Sequence, residues 1–235
     1  MALAEQIFDG GRLALFEAIA RERRSVRAFL PQPLEPALLE RLFAIAGQAP
    51  SNCNVQPLVV HLVSGPALKR VRDALIAEAS SSPQDPDVPL TEHYVDQYKV
   101  RRIGAAVALF EATGVARHDA EAREQSFMRN YELFDAPHAA FFFMPRYFGL
   151  REAADVGMYV QTLMLALTAH GLGSCAQGSL SHYGAVLRRE LRVDDDLICL
   201  FGLSLGYPDE THPSTNARTE RAPVAEIVTM HEDGP

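Results

Sequence analysis

Three short runs of the chain are apolar at nearly every position, which is the pattern of strands buried on both faces. They cover residues 58–63, 139–144 and 197–203. A strand that is apolar on both sides belongs in the middle of a sheet with helices packed on each face. The pattern therefore predicts three layers, α/β/α, in a fold of the α/β or α+β class.

Helical periodicity accounts for most of the chain between these runs. Apolar side chains recur at spacings of three and four, which indicates helices with one buried face. The predicted helices cover 13–22, 35–47, 67–79, 152–170 and 183–191, and the region 91–134 is predicted to be largely helical.

The last part of the chain differs from the rest. After Gly206 the sequence has Pro208 and Pro213 and no periodicity until a strand-like piece at 224–230. We expect one domain over 1–235, with a helical capping region at about 91–134 and a C-terminal arm over 207–235. A strand isolated by so long an irregular arm is expected to pair with the sheet of a neighbouring subunit.

Composition narrows the classes of partner. The formal net charge of -8 argues against nucleic acid, because sequence-independent binding needs a basic face. No apolar run approaches the length of a membrane span, and the N-terminal stretch does not have the pattern of a signal peptide. Three cysteines far apart in sequence suggest neither a zinc site nor a disulfide framework, so the expected compartment is the reducing cytoplasm.

Positive charge is concentrated in one stretch of this acidic chain. Arg21, Arg23, Arg24 and Arg27 lie within seven residues, and Ser25 lies among them. Arginines in the last turn of a helix suit its dipole, but this cluster continues past the predicted end of the helix. Guanidinium groups, a hydroxyl and free backbone N–H groups together favour a phosphate monoester as ligand.

Other motifs in the sequence are weaker evidence for a particular function. Gly202-Leu203-Ser204-Leu205-Gly206 matches the nucleophile elbow of serine hydrolases, but the helix that should follow it is replaced by a proline-rich stretch. The glycine-rich stretch 171–178 follows a helix, whereas a dinucleotide fingerprint follows a strand. The histidines are scattered, and no metal site is predicted.

Two motifs together resemble the nitroreductase family of flavoproteins. The first is Arg23-Arg24-Ser25-Val26-Arg27-Ala28-Phe29, and the second is Pro50-Ser51-Asn52-Cys53-Asn54-Val55-Gln56-Pro57. The resemblance continues in the same order through Asp155, Gly157 and Gln161, through 171–178, through Gly206-Tyr207-Pro208, and ends at 219–223. It covers nearly the whole chain and is strongest in the branch that acts on nitroaromatic compounds.

This resemblance implies a central mixed sheet and FMN at the interface of an intertwined homodimer, with the C-terminal arm and strand exchanged between subunits. It also implies ping-pong hydride transfer from NAD(P)H, through flavin N5, to a nitroaromatic or quinone acceptor. The cofactor carries the chemistry, so no side chain is expected to act as a nucleophile. An oxidase or dehalogenase on the same scaffold is the alternative activity.

The resemblance implies the following site residues. Arg27 is expected near the N1/C2 carbonyl of the flavin as electrostatic support, and Tyr131 and Phe134 in the cap are expected to shape the acceptor pocket. The expected cofactor-binding residues are Arg23, Arg24, Ser25, Arg27, Pro50, Ser51, Asn52, Asn54, Gln56, Ala176, Gln177, Gly178, Arg218 and Arg221.

The chain departs from the family pattern at two of these places. Asn52 stands where many relatives have a second serine, and Thr219 stands where many have a lysine. The second change leaves Arg221, with Arg218, to carry the positive charge at that end of the phosphate.

Overall fold

A four-stranded antiparallel sheet in the order β1-β2-β4-β3 forms the middle layer of the structure, which is a computed structural model describing residues 10–231. The strands are β1 (Val59–Ser64), β2 (His138–Pro145), β3 (Gly173–Gln177) and β4 (Leu197–Gly206). The helices are α1 (Gly11–Glu22), α2 (Pro36–Ala46), α3 (Gly65–Ser81), α4 (Asp96–Thr113), α5 (Ala120–Met128), α6 (Leu150–Ala169) and α7 (Gly184–Leu191). Residues 1–9, and residues 232–235 at the end of the predicted arm, lie outside the described part of the chain.

The central strand β2 explains the three layers. Phe141, Phe142 and Phe143 are fully buried, and successive side chains of a strand point to opposite faces of the sheet. Phe141 and Phe143 pack in one core with α3 and α7, whereas Phe142 packs in the other core with α2 and α6. The α+β class, with helices on both faces, is therefore confirmed.

Two predictions about strands need correction. Within the described residues, the four strands pair only antiparallel with one another, so the mixed character expected of the sheet is limited to a parallel bridge between Ser25 and Ser174 at the edge of β3. The strand-like piece at 224–230 contains one 3₁₀ turn, Val224–Glu226, and is largely exposed. Its branched side chains favour a strand, but in a single chain it has no partner strand to pair with.

The edge strand β3 was missed because its residues are small and polar. It pairs with β4 from Gly173 opposite Gly206 to Gln177 opposite Gly202. A Cβ atom at Gly173 would lie 2.8 Å from a methyl carbon of Val26, so only glycine fits where Val26 packs against the strand. Close packing at this edge therefore selects small residues over the β-branched residues typical of strands.

Two helices and the arm leave apolar side chains uncovered. Helices α1 and α4 contain no buried residue, even though both carry large apolar side chains. Leu13 on α1 is 71% exposed, and Val100 on α4 is 70% exposed. Ile227 and Met230 at the end of the arm are exposed in the same way. None of the helices within residues 10–231 combines the length and apolar character of a membrane span.

A buried histidine joins three segments of the fold. Nε2 of His138 accepts a hydrogen bond from the backbone N–H of Leu34 at 2.8 Å, so the ring proton is on Nδ1, which lies 2.5 Å from Oγ of Ser64. Ser64 ends β1 and His138 begins β2, and the two are paired in register. Burial lowers the pKa of His138, because the imidazolium form would lose its hydration.

We predict that the protein loses stability as the pH falls below about 6.5, the ordinary pKa of histidine. The folded-state pKa of His138 is lowered, so below that pH the unfolded chain binds more protons. The loss is at most about 1.4 kcal/mol per pH unit for each such histidine. Urea unfolding from pH 7.5 to 5.5 measures it.

The variant His138→Phe should be less stable at pH 7.5 and should show a weaker pH dependence. Burial also lowers the pKa of His61 and His182, so part of the dependence remains. The matched control His118→Gln changes an exposed histidine and should keep the wild-type dependence. An equal slope in His138→Phe and the wild type would contradict the assignment.

Candidate FMN-binding site

An open cavity of about 970 Å³ lies where the end of α1, α6 and the C-terminal arm meet. Its lining is dominated by arginine, and the one carboxylate among its lining residues, Glu17, is already paired with Arg21 at 2.7 Å. Most small-molecule sites have volumes of roughly 300–1,000 Å³, so the cavity has room for a nucleotide-sized ligand. The lining residues are Glu17, Ala20, Arg21, Arg23, Arg24, Ser25, Arg27, Ala105, Gln161, Met164, Ala217, Arg218, Thr219 and Arg221.

Backbone pairing places the arginine stretch at this cavity. The N–H of Val26 donates to the carbonyl of Ser174 at 2.9 Å, beside a parallel bridge between Ser25 and Ser174. The stretch is therefore extended and lies on the free edge of β3. Val26 and Ala28 are buried, and because side chains alternate in extended chain, Ser25 and Arg27 are directed to the opposite, half-exposed side.

The cavity holds positive charge that has no internal counter-charge. Among residues 10–231, no carboxylate lies within 4.0 Å of Arg23, Arg27, Arg218 or Arg221. Burial lowers the pKa of Arg23, the neighbouring charge of Arg221 lowers it further, and Cys175 acts in the opposite direction. Two guanidinium groups that repel each other in a cavity create a site for an anion.

Arg24 has a different role from its neighbours. Its Nη2 forms an ion pair with Glu210 at 2.6 Å, and its Nε donates to the carbonyl of Thr215 at 3.2 Å. Nη1 of Arg218 donates to the same carbonyl at 2.7 Å. Burial lowers the pKa of Arg218, and the charge of Arg24 lowers it further. Arg24 thus holds the arm against the arginine stretch, and its side chain is largely occupied.

Thr219 takes part in positioning Arg221. Its Oγ1 accepts from Nη1 of Arg221 at 2.8 Å, and its carbonyl accepts from the same nitrogen at 3.0 Å. Thr219, which stands where the resemblance led us to expect a lysine, therefore orients an arginine.

The end of β3 presents backbone groups beside Arg27. The carbonyl of Ser174 points to the free edge of the strand, so the backbone of Ala176, two residues on, faces the same way. Ala176 and Gly178 are exposed, whereas Gln177 is buried. The side chain of Gln177 donates to the carbonyl of Asn130 at 2.8 Å, so it supports the site from inside the protein.

Ser204 is not a nucleophile. It is fully buried, and its hydroxyl donates to Oε1 of Gln177 at 2.6 Å with no histidine as partner. The strand β4 continues to Gly206 and is followed by irregular chain instead of the helix that a nucleophile elbow requires. The hydrolase alternative is therefore wrong.

The loop containing Pro50, Ser51, Asn52, Asn54 and Gln56 lies apart from the arginine cavity. Its anchor is the carboxylate of Asp155, which accepts from the N–H of Asn52 at 3.0 Å. Asp155 precedes Gln161 and Met164 on α6, so along the helix axis it lies roughly 9–14 Å from the part that lines the cavity. One chain does not bring the two motifs into one cavity.

The same loop has an unusual backbone. Cys53, Asn54 and Gln56 have φ values of 50°, 58° and 47°, in the left-handed region that side chains other than glycine rarely adopt. The N–H of Gln56 donates to Oγ of Ser51 at 3.0 Å, and Nε2 of Gln56 donates to the carbonyl of Asn54 at 3.2 Å. Backbone strain of this kind is concentrated at functional sites.

The two predicted pocket residues differ in position. Tyr131 lies in the core with 1% exposure, and its hydroxyl is 3.2 Å from Nδ1 of His182, so it is not part of a pocket wall. Desolvation raises the pKa of Tyr131, and the phenol stays neutral. Phe134 is buried beside Val26 and Cys175, and it lines a second cavity together with Arg27.

Sequence reasoning gave no site role to six residues that line the large cavity: Glu17, Ala20, Ala105, Gln161, Met164 and Ala217. Gln161 had a usable signal, because it is a polar residue in a helix that is otherwise largely apolar. No group of three or more His, Cys, Asp or Glu residues suited to a metal ion occurs in the described part of the chain.

Comparison with known proteins gives a consistent result. A family model described as "Nitroreductase family" matches residues 20–207. The chain is 37% identical over 211 residues to the nitroreductase NfnB of Mycolicibacterium smegmatis, covering 89% of this chain and 90% of that protein. It is 31% identical to a 4-nitrobenzoate reductase of Pseudomonas putida, covering 88% and 91%.

A solved structure extends this similarity to the fold. The FMN-dependent nitroreductase NfnB from Mycobacterium smegmatis, solved in complex with NADPH, matches with a TM-score of 0.90 and 36% sequence identity. The match covers 94% of this chain and 100% of that one.

We predict that Asp155→Ala loosens the strained loop. The change leaves the N–H of Asn52 without its acceptor, and a hydrogen bond to a charged group contributes about 1.5–3 kcal/mol of folding stability. Hydrogen exchange should accelerate in residues 51–56, and urea unfolding should show the loss. The control Asp73→Ala removes an exposed carboxylate and should have a much smaller effect. Unchanged exchange in the loop would show that Asp155 does not hold it.

Proposed function

Because this chain belongs to the nitroreductase family, we propose that it is an FMN-dependent enzyme that oxidises NAD(P)H and reduces nitroaromatic or quinone acceptors. The observation that carries the proposal is the cavity in which Arg23, Arg27, Arg218 and Arg221 have no carboxylate within 4.0 Å in the described part of the chain. The named activities of two relatives, nitroreductase and 4-nitrobenzoate reductase, support a nitroaromatic acceptor.

The residues of the cavity fit the phosphate of FMN. Arg23 and Arg221 supply uncompensated charge from two sides of the cavity, Ser25 supplies a hydroxyl, and Arg218 adds a further guanidinium group. A phosphate dianion placed among these groups would remove their mutual repulsion and accept charge-assisted hydrogen bonds. Arg24 contributes indirectly, by holding the arm that carries Arg218 and Arg221.

The residues beyond the phosphate fit a flat ring. Arg27 lines the cavity near the end of β3, where its charge favours negative charge on a bound ring. Nothing lies within 4 Å of the position of a Cβ atom at Gly178, so a planar group can approach the backbone there. Bound FMN would supply the hydride chemistry, and the protein would bind and orient the cofactor and place positive charge beside its ring.

We further propose a homodimer in which the loop 50–57 of one subunit completes the arginine cavity of the other. The loop and the cavity are separated along α6 within one chain, and both are exposed. The apolar faces of α1 and α4 and the end of the arm are uncovered, as expected of surfaces that pack against a second copy. The exchange of the arm between subunits belongs to the same proposal.

All three cysteines are free thiols, which fits a reducing compartment, and we assign the protein to the cytoplasm on that ground.

We predict that the purified protein is yellow and that NADPH or NADH bleaches it under anaerobic conditions. A nitroaromatic or a quinone should then restore the colour, because the acceptor takes the electrons that the nicotinamide delivered. Absorbance spectra during sequential addition measure both halves of the cycle. Protein that takes up no added FMN would refute the proposal. Reduced protein that responds to oxygen or a halogenated substrate, and not to nitro compounds or quinones, would favour the oxidase or dehalogenase alternative.

The dimer proposal predicts that two inactive variants complement each other. Arg23→Gln should weaken FMN binding, and Asn54→Ala should lower activity, each in every site of its own homodimer. A mixed dimer contains one site with both changes and one site with neither, so refolding or co-expressing the two variants together should restore activity.

Arg12→Gln is the matched control for Arg23→Gln, because Arg12 is exposed on α1 and does not line the cavity. It should retain FMN. If the loop served the cavity of its own chain, every site of the mixed dimer would carry one change, and mixing would restore nothing.

A further inference from the structure

A second, smaller cavity of about 50 Å³ shares Arg27 with the large one. Its walls come from α4, α5, the segment after α5 and the arm. No carboxylate is among its lining residues, and most of them are polar or cationic. The volume accommodates a group the size of a carboxylate but not an aromatic ring. The lining residues are Arg27, Leu109, Thr113, Ser126, Arg129, Asn130, Phe134, His212 and Ser214.

Arg129 is held in this cavity with one donor unused. Its Nη1 lies 3.2 Å from Nε2 of His212, and its Nη2 forms an ion pair with Asp135 at 3.0 Å. Its Nε is buried and has no hydrogen-bond partner in the described part of the chain. One other buried polar side-chain atom there, Oγ of Ser179, also lacks a hydrogen-bond partner. A buried donor without an acceptor is unfavourable, which indicates that a ligand completes it.

The carboxylate paired with Arg129, that of Asp135, does not line the cavity, so no carboxylate among the described residues faces the guanidinium group inside it. Nδ1 of His212 accepts from the N–H of Ser214 at 3.2 Å and lies 2.7 Å from Oγ of Ser214, so the arm holds the imidazole beside Arg129. The carboxylate of Asp135 is 65% exposed.

We propose that this cavity binds the carboxylate of an aromatic acid acceptor, with Arg129 as the residue that recognises it. The proposal rests on the proposed function and names a class of substrate for it, namely electron-poor aromatic carboxylates. Nε of Arg129 donates to the carboxylate, and the hydroxyl group of Ser126 is available beside it, whereas that of Thr113 already donates to the carbonyl of Leu109. Because Arg27 is common to both cavities, the ring of such an acceptor lies toward the large cavity, with Phe134 as an apolar wall.

The test compares 4-nitrobenzoate with the neutral 4-nitrobenzamide, using the FMN-loaded enzyme. The ratio of their kcat/KM values should favour the carboxylate in the wild type, and Arg129→Gln should lower that ratio by about tenfold or more, through the loss of a charge-assisted hydrogen bond. A second readout does not depend on turnover. Benzoate, which cannot be reduced at a nitro group, should perturb the absorbance of the bound flavin in the wild type and bind more weakly to Arg129→Gln.

Arg123→Gln is the matched control, because it removes the same charge from α5 at an exposed position that does not line the cavity. It should leave the selectivity ratio unchanged. If Arg129→Gln does not retain FMN, Ser126→Asp decides the question, because a negative charge in the wall should lower the same ratio.

Equal selectivity losses in Arg129→Gln and Arg123→Gln would overturn the proposal. So would a flavin perturbation by inorganic phosphate or chloride as strong as that by benzoate, because the cavity would then bind small anions in general. A wild-type enzyme that reduces neither nitro compound would instead refute the proposed function, and the benzoate titration would still test the carboxylate site.

Discussion

The hydrogen bond from the N–H of Val26 to the carbonyl of Ser174 is the contact on which the site depends. It pairs the arginine stretch with the edge strand β3, and that pairing brings Ser25 and Arg27 beside Ala176 and Gly178. On its other side the stretch is bonded to the arm, where the N–H of Asp209 donates to the carbonyl of Ala28 at 3.0 Å. Three segments far apart in sequence therefore meet through main-chain bonds that require no particular side chains.

This backbone frame allows the protein to hold several cations close together. The repulsion between Arg23 and Arg221 is unfavourable in the empty cavity, and it is opposed by the ion pair of Arg24 with Glu210 and by the main-chain bonds. A ligand that binds only the folded state stabilises that state in proportion to the logarithm of its concentration over Kd. Anion binding should thus stabilise the protein, because the unfolded chain does not assemble these arginines.

The sequence was sufficient for much of this fold, and the failures have physical causes. The strands at 59–64, 138–145 and 197–206 could be predicted because burial on both faces leaves a continuous apolar run. β3 could not, because its close approach to Val26 selects small residues and its buried polar groups, Ser174 and Gln177, are satisfied by distant partners. The direction of the strands could not be predicted either, because it follows from how the chain connects its strands and not from their composition.

The arginine motif likewise predicted which residues line the cavity. It did not predict which of them are free to bind a ligand and which one holds the arm. Arg23 and Arg24 are adjacent and look equivalent in sequence. Only the position of Glu210, far along the chain, shows that Arg24 holds the arm and Arg23 does not. In the same way, Tyr131 and Phe134 are both aromatic residues of the cap, and the distance from Tyr131 to His182 separates a core residue from a cavity residue.

The arm connects the two cavities physically. Glu210 and Thr215 bind Arg24 on the side of the large cavity, and His212 and Ser214, which lie between them in sequence, are at the small cavity beside Arg129. A displacement of this segment would therefore change the position of charge in both places at once. Binding of the phosphate by the arginines of the arm should thus preorganise the small cavity, because the residues that orient Arg129 belong to the segment that the phosphate helps to hold.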